Sequence, residues 1–203
     1  EQYFYAPGCV VITAEQAACL TGEATCTNQH TAPVNWNILT SSLNSAKGVK
    51  KRFEHLATIG GIDVFEDFAH HPSAVKIMLE SIKIQAPNRR VLLAFDPKNA
   101  SSRRNIFINE YATVLSKADI VFIAPCPVDN KISKNEKMDI TYLAEKISTS
   151  AHAFGDYQSL LTKLLETIQP EDLVIFMSPG SFAGLAPTLI KKLTTMGVKL
   201  WSK

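Results

Sequence analysis

The sequence predicts an α/β domain: a mainly parallel β-sheet that opens with an antiparallel hairpin and carries helices on both faces. Three observations lead there. From Val49 onward, short β-branched runs alternate with stretches of helical period, the pattern of a parallel sheet wound with helices. The first two runs are separated only by Gly60-Gly61, a tight-hairpin signal, so that pair is antiparallel. The intervening stretches repeat apolar residues at i, i+3, i+4 and i+7, in whole or in part, as one-sided helices do.

In chain order, strands are expected at 54–59, 62–68, 90–95, 120–124, 152–154, 173–177 and 198–201. The first helix lies behind Pro72, with Val75, Met78, Leu79 and Ile82 on one face, and the second carries Phe107, Tyr111, Val114 and Leu115. A third is expected over 140–147, a fourth over 156–168 with Leu160, Leu161, Leu164, Leu165 and Ile168 inward, and a fifth over 185–196. Asp139 and Asp156 suit the N-cap because a short carboxylate accepts the first free helix N–H groups. Pro170 and Gly197 suit the stops. Sheets of this kind bind ligands beyond the carboxyl ends of their parallel strands, so chemistry is expected in the loops after Phe68, Phe95, Ala124 and Met177.

Residues 1–47 have a different texture, polar and without clear alternation, and form a separate lead before the domain at 48–203; helix is expected at 14–20 and 38–46. Of the 203 residues, 46% are apolar and 20% charged, ordinary values for a soluble globular protein, so neither disorder nor membrane residence is indicated. No apolar run approaches the roughly 20 residues that span a bilayer, and no signal peptide opens the chain, so the cytoplasm is the expected compartment. The net charge of +2 is spread without a basic stripe, so neither nucleic acid nor membrane is an expected partner. Cys9, Cys19, Cys26 and Cys126 form no Cys-x-x-Cys pair and read as reduced thiols, with a bridge or metal among the first three as the alternative.

The most informative segment runs Gly48-Val-Lys-Lys-Arg52-Phe-Glu54, then, after the hairpin, Asp67-Phe-Ala-His70-His71-Pro72-Ser73. Asp67 closes a strand, two imidazoles occupy the turn, and a helix begins at Pro72, which makes a polar corner tolerant of anions. Arg52, expected on the neighbouring strand, reaches the same corner with a planar fork of donors suited to phosphate. Arginine for phosphate, aspartate for ribose hydroxyls and histidine for orientation would together suit a nucleotide.

These motifs resemble the start of the C-terminal, Rossmann-like domain of the Mur ligases and their folylpolyglutamate synthetase relatives. Within that group Phe68-Ala69 is most similar to the murein peptide ligase branch, whereas the alanine-adding ligases typically carry Tyr-Gly there. Phe95-Asp-Pro-Lys98-Asn-Ala-Ser101 and Met177-Ser178-Pro-Gly180-Ser181-Phe-Ala-Gly184 resemble further segments of that branch, with substitutions. The resemblance covers about residues 48–203. It implies an ADP-forming ligase that uses ATP and magnesium to phosphorylate the carboxylate of UDP-N-acetylmuramate, after which a peptide or amino-acid amine displaces phosphate.

The resemblance also assigns roles. Arg52, Asp67, His70 and His71 fall on the nucleotide side: Arg52 on the ATP phosphates, Asp67 on the ribose, His70 on the recurrent histidine and His71 on the variable place after it. Lys98, Ser178, Gly180 and Ser181 fall on the amine-substrate side. No glycine is followed by Lys and then Ser or Thr, so the phosphate loop of the family is not in these 203 residues. The chain is therefore expected to be a domain of a longer ligase, inactive alone, with the magnesium site mostly in the rest of that chain. A non-catalytic Rossmann-like binding module, an alanine ligase and a folylpolyglutamate synthetase relative stand as alternatives. So do plainer readings of single residues: helix-capping polarity for His70-His71, a surface ion pair for Arg52 and Glu54, turn and packing roles for Gly180 and Gly184, a solvated basic loop for Lys98, Arg103 and Arg104, and an inert Cys126. Ser181 lacks the glycine two places earlier that a hydrolase elbow needs.

Overall fold

The computed structural model describes residues 50–99, 102–126 and 136–200, and Lys51–Lys203 form one compact unit. The helices expected at 14–20 and 38–46, together with Cys9, Cys19 and Cys26, lie outside the described residues. The elements are β1 (Glu54–Ile59), β2 (Ile62–Asp67), α1 (Pro72–Gln85), β3 (Val91–Phe95), α2 (Ile108–Leu115), β4 (Ile120–Ile123), α3 (Ile140–Lys146), β5 (Ser150–Ala153), α4 (Tyr157–Thr167), β6 (Leu173–Met177) and α5 (Leu185–Leu200). Short 3-10 turns at Asn105–Phe107 and Phe182–Gly184 lead into α2 and α5.

One six-stranded sheet has the order β1-β2-β6-β3-β4-β5, with β1 antiparallel to β2 and every other pairing parallel. The fold is the expected one. Gly60 and Gly61, with φ of 58° and 82°, make the hairpin turn in the left-handed region that a side chain resists. The two central strands are buried on both faces, and their side chains divide by parity. Val91, Leu93 and Phe95 of β3 and Leu173, Ile175 and Met177 of β6 pack beneath α1, α2 and α3, against Val75, Tyr111 and Leu143. Leu92, Ala94, Val174 and Phe176 face the other way, against Leu160 and Leu164 of α4 and Leu189 and Leu193 of α5. Period-two alternation thus gives the sheet two cores at once.

The caps behave as read. Asp139 accepts N–H bonds from Thr141 and Tyr142, and Asp156 accepts one from Ser159, each contribution worth about 1 kcal/mol of helix stability. Two expectations fail at the C-terminal end. Val198 to Leu200 continue α5 instead of forming a strand, and Gly197 does not stop the helix. A glycine inside a helix costs only about 1 kcal/mol, too little to end one by itself. The strand expected at 152–154 starts two residues earlier, at Ser150, and ends at Ala153.

Candidate functional site at the carboxyl edge of the sheet

Register brings the candidate loops together. Met177 pairs with Asp67 on one side and Phe95 on the other, so the residues that follow β2, β6 and β3 start side by side. Main-chain bonds carry the sheet one step further: Ser178 N–H donates to the Asp67 carbonyl at 3.0 Å, and Asp96 N–H donates to the Met177 carbonyl at 3.0 Å. The loop after β2 leads to α1 on one face and the loop after β6 leads to α5 on the other. Chains diverging to opposite faces leave a crevice at the strand ends.

On the β2 side the organiser is Asp67, 2% exposed. Its Oδ2 accepts the Phe53 N–H at 2.7 Å and its Oδ1 accepts the Ala69 N–H at 2.6 Å. The Phe68 N–H donates to the Lys51 carbonyl at 2.8 Å, so the lead into β1 is fastened to the end of β2. That lead is strained, with Lys51 at φ 56° and Phe53 at φ 48°, and a left-handed non-glycine costs on the order of 1 kcal/mol or more. The Asp67 carboxylate and a parallel stack of Phe53 on Phe65, centroids 4.3 Å apart, hold it in place. Burial raises the proton affinity of Asp67, while its two N–H donors and Arg52 pull the other way.

Arg52 precedes β1 and does not sit within it, a small departure from the expected strand position. Its side chain is exposed, its guanidinium carbon stands 5.2 Å over the Phe68 ring, and among the described residues it forms no ion pair. The other reading, a surface pair with Glu54, does not hold: Glu54 instead accepts the Lys51 main-chain N–H at 2.7 Å. Phe68 meets His70 edge-on at 5.1 Å. His70 Nδ1 lies 2.9 Å from the Phe68 carbonyl; a carbonyl only accepts, so that nitrogen carries the proton. His71 is the N-cap residue of α1. It contacts Ser73 through Nδ1 at 2.8 Å and meets the Phe107 ring edge-on at 5.2 Å.

On the β3–β6 side a second aspartate, Asp96, is fully buried. It accepts the Ser178 hydroxyl at Oδ2 (2.9 Å) and the Tyr157 hydroxyl at Oδ1 (3.4 Å). Burial raises the proton affinity of Asp96 against the lowering pull of Ser178, Lys98, Tyr157 and Arg103. Burial and the neighbouring carboxylate push the Tyr157 phenol up to about 12. Ser178 is 4% exposed, and its Oγ also accepts the Gly180 N–H at 3.0 Å, so its hydroxyl organises the turn and is not free for a ligand. A Cβ on Gly180 would lie 2.9 Å from Lys98 Cδ: the lysine stem crosses the glycine. On the other flank the Lys51 ammonium donates to the Gly180 carbonyl. Ser181 is exposed and begins the left-handed turn at Phe182, Ala183 and Gly184, whose φ angles are 48°, 51° and 73°.

Between the two sides Lys51, Glu66, Asp67, Phe176, Ser178, Gly180 and Phe182 line a shallow depression that encloses no ligand-sized cavity. The structure thus gathers Arg52, Asp67 and His70 around Phe68, and Lys98, Ser178 and Gly180 around the next turn, while His71 and Ser181 stand at the margins. Sequence reasoning passed over Asp96, Tyr157 and Lys51. Asp96 had a signal, because it closes β3 as Asp67 closes β2; Lys51 had one in its place beside Arg52. Tyr157 had none. Among the described residues no three His, Cys, Asp or Glu side chains gather as metal ligands, and no helix is long and apolar enough to cross a membrane.

Comparison with known proteins identifies the family. The family described as "Mur ligase, glutamate ligase domain" matches residues 51–180, well over half of the chain. Curated relatives include the UDP-N-acetylmuramate–L-alanine ligases of Desulforapulum autotrophicum (28% identical, 78% of this chain, 35% of the relative) and Agathobacter rectalis (31%, 77% and 34%). The chain spans about a third of the length of these relatives. A domain of a candidate UDP-N-acetylmuramate:L-alanyl-gamma-D-glutamyl-meso-diaminopimelate ligase from Haemophilus ducreyi superposes with a TM-score of 0.57 at 25% identity, over 70% of this chain and 99% of that one. The folylpolyglutamate/dihydrofolate synthase of Yersinia pestis, crystallised with AMPPNP and a manganese ion, shares the fold with a TM-score of 0.54 at 20% identity, over 79% of this chain and 35% of that one. The chain therefore belongs to the Mur ligase family, as its glutamate ligase domain.

Proposed function

We propose that this domain closes over ATP in an ADP-forming ligase that joins the carboxylate of UDP-N-acetylmuramate to an amine, in the cytoplasm where ATP and nucleotide sugars are held. The observation that carries the reading is Arg52: an exposed guanidinium, without an ion-pair partner among the described residues, planted on Phe68 beside the buried Asp67 at the carboxyl edge. A planar cation fixed on an aromatic ring is ready to meet phosphate oxygens with little reorganisation. Asp67 holds the turn that presents Arg52, and any ribose contact it makes uses the lone pairs left over by its two N–H donors. His70, on the far edge of Phe68, is positioned to orient the same ligand.

ATP, when bound, supplies the phosphoryl group that activates the carboxylate. The cationic Arg52 suits its phosphates; the described residues do not suit magnesium, whose ligands are assigned to the rest of the ligase. Alone, without a phosphate loop, the 203-residue chain is expected to bind nucleotide weakly and to turn nothing over.

For the amine, a specific observation favours each of two readings. Phe68-Ala69 and the Haemophilus likeness favour a peptide of the murein type, whereas the curated relatives favour L-alanine. Both share UDP-N-acetylmuramate as the acid. The test uses the complete ligase: ADP release with UDP-N-acetylmuramate is measured with L-alanine and with the tripeptide L-alanyl-γ-D-glutamyl-meso-diaminopimelate. In the same assay Arg52→Ala lowers ligation at least about tenfold, equivalent to about 1.4 kcal/mol in the transition state. Wild-type turnover by that variant would remove the nucleotide assignment.

A further inference from the structure

One residue touches both halves of the site. Lys51 is bound at every polar group it has: its main-chain N–H donates to Glu54, its carbonyl accepts the Phe68 N–H, and its ammonium donates to the Gly180 carbonyl. The other end of that glycine's turn is held as well, since the Gly180 N–H donates to Ser178 Oγ and Ser178 donates to Asp96. A chain of hydrogen bonds therefore runs from Asp96 at the end of β3, through Ser178 and Gly180 after β6, to Lys51, the residue next to Arg52. These bonds join three separate connections across the carboxyl edge.

We propose that Lys51 is a positioning residue that couples the two halves of the site, holding Arg52 in register with the Gly180 turn. Three observations support more than a packing role. Lys51 takes up a left-handed φ of 56° that a lysine in an open loop would not keep without its bonds. Its ammonium is directed at a main-chain carbonyl 129 residues away in sequence, although the carboxylates of Glu54 and Glu66 lie nearer along the chain. And the glycine it grips is the one crossed by Lys98, so the bond fixes the position of the turn over which the second cation lies. Moving Lys51 would shift Arg52 on one side and the Gly180 turn on the other together, which is what coupling between sites requires.

The inference rests on the ligase reading above, and the experiment keeps the two apart. In the complete ligase, Lys51→Met removes the donor at nearly constant length, Lys51→Arg keeps one, and Asp96→Asn weakens the far end of the same chain of bonds. The expected result is that Lys51→Met lowers kcat/KM for the amine by about tenfold, that Lys51→Arg recovers to within about threefold of wild type, and that Lys51→Met with Asp96→Asn is no worse than the poorer single variant, because residues of one network are not additive. Thermal midpoints of the variants, measured alongside, separate this from simple unfolding. Full additivity of the pair, equal damage from Met and Arg, or wild-type kinetics in Lys51→Met each overturn the proposal. Arg52→Ala serves as the control: if it loses activity while Lys51→Met does not, coupling fails and the ligase reading stands; if neither loses activity, both fall.

Discussion

Two buried aspartates close β2 and β3, one strand apart on either side of β6, and they are satisfied in opposite ways. Asp67 spends both oxygens on main-chain N–H groups, those of Phe53 and Ala69. Asp96 spends its oxygens on side-chain hydroxyls, those of Ser178 and Tyr157. An acid that binds the main chain dictates where a loop runs, and removing it strands donors that have no other partner. An acid that binds hydroxyls sets the orientation of groups that can rotate elsewhere. The β2 corner is therefore built for shape and the β3–β6 corner for adjustable chemistry.

That contrast can be broken or sharpened by substitution. Asp67→Ala is expected to have the largest effect, about 3 kcal/mol of lost stability, because two buried N–H groups lose their acceptor and the left-handed lead at Lys51 and Phe53 loses its clamp. Urea unfolding at constant m-value reads it, and a loss below about 1 kcal/mol would show that the corner can be satisfied by water.

Asp96→Asn is expected to cost less, about 1 kcal/mol or below at neutral pH, and to change how stability responds to pH. The folded state raises the Asp96 pKa above its ordinary 3.8, so between that value and the higher folded one the native protein binds more protons than the unfolded chain. Stability is then fully free of this penalty below 3.8 and declines as pH rises through the folded value, a decline that Asp96→Asn removes. An unchanged slope of stability against pH in that variant would contradict the burial argument. Gly180→Ala is expected to be the smallest, within about 0.5 kcal/mol, because the atom its Cβ meets belongs to the flexible Lys98 stem, which swings aside. A loss above about 1 kcal/mol would mean that Lys98 is held there and does not merely pass over.

The two corners also differ in how far the sequence reveals them. Period-two runs and the Gly60-Gly61 turn expose the sheet, because burial on both faces of β3 and β6 demands unbroken apolar strands. The Asp67 corner is legible too, since a strand ending in a carboxylate before His70-His71-Pro72 is a local pattern. Asp96 and Lys51 have local signals, but what they bind is not legible locally. Their partners, Ser178, Tyr157 and Gly180, lie 61 to 129 residues away, and only the assembled sheet makes them neighbours. The C-terminal misreading has a different cause: after Gly197, Val198 and Leu200 alternate around Lys199 as in a strand, while the helix carries on through them.

The place of β6 has a bearing on how the chain assembles. Of the described strands, the one between β2 and β3 is the last to be synthesised, so β2 and β3 present open edges until residues 173–177 arrive to bridge them. Long-range insertion of this sort slows folding and leaves unpaired strand edges exposed in the interval. A nascent chain cut short before Leu173 would consist of a hairpin and a three-stranded remnant with no shared seam, prone to stick to its neighbours. Completion of β6 is thus the step that closes both open edges.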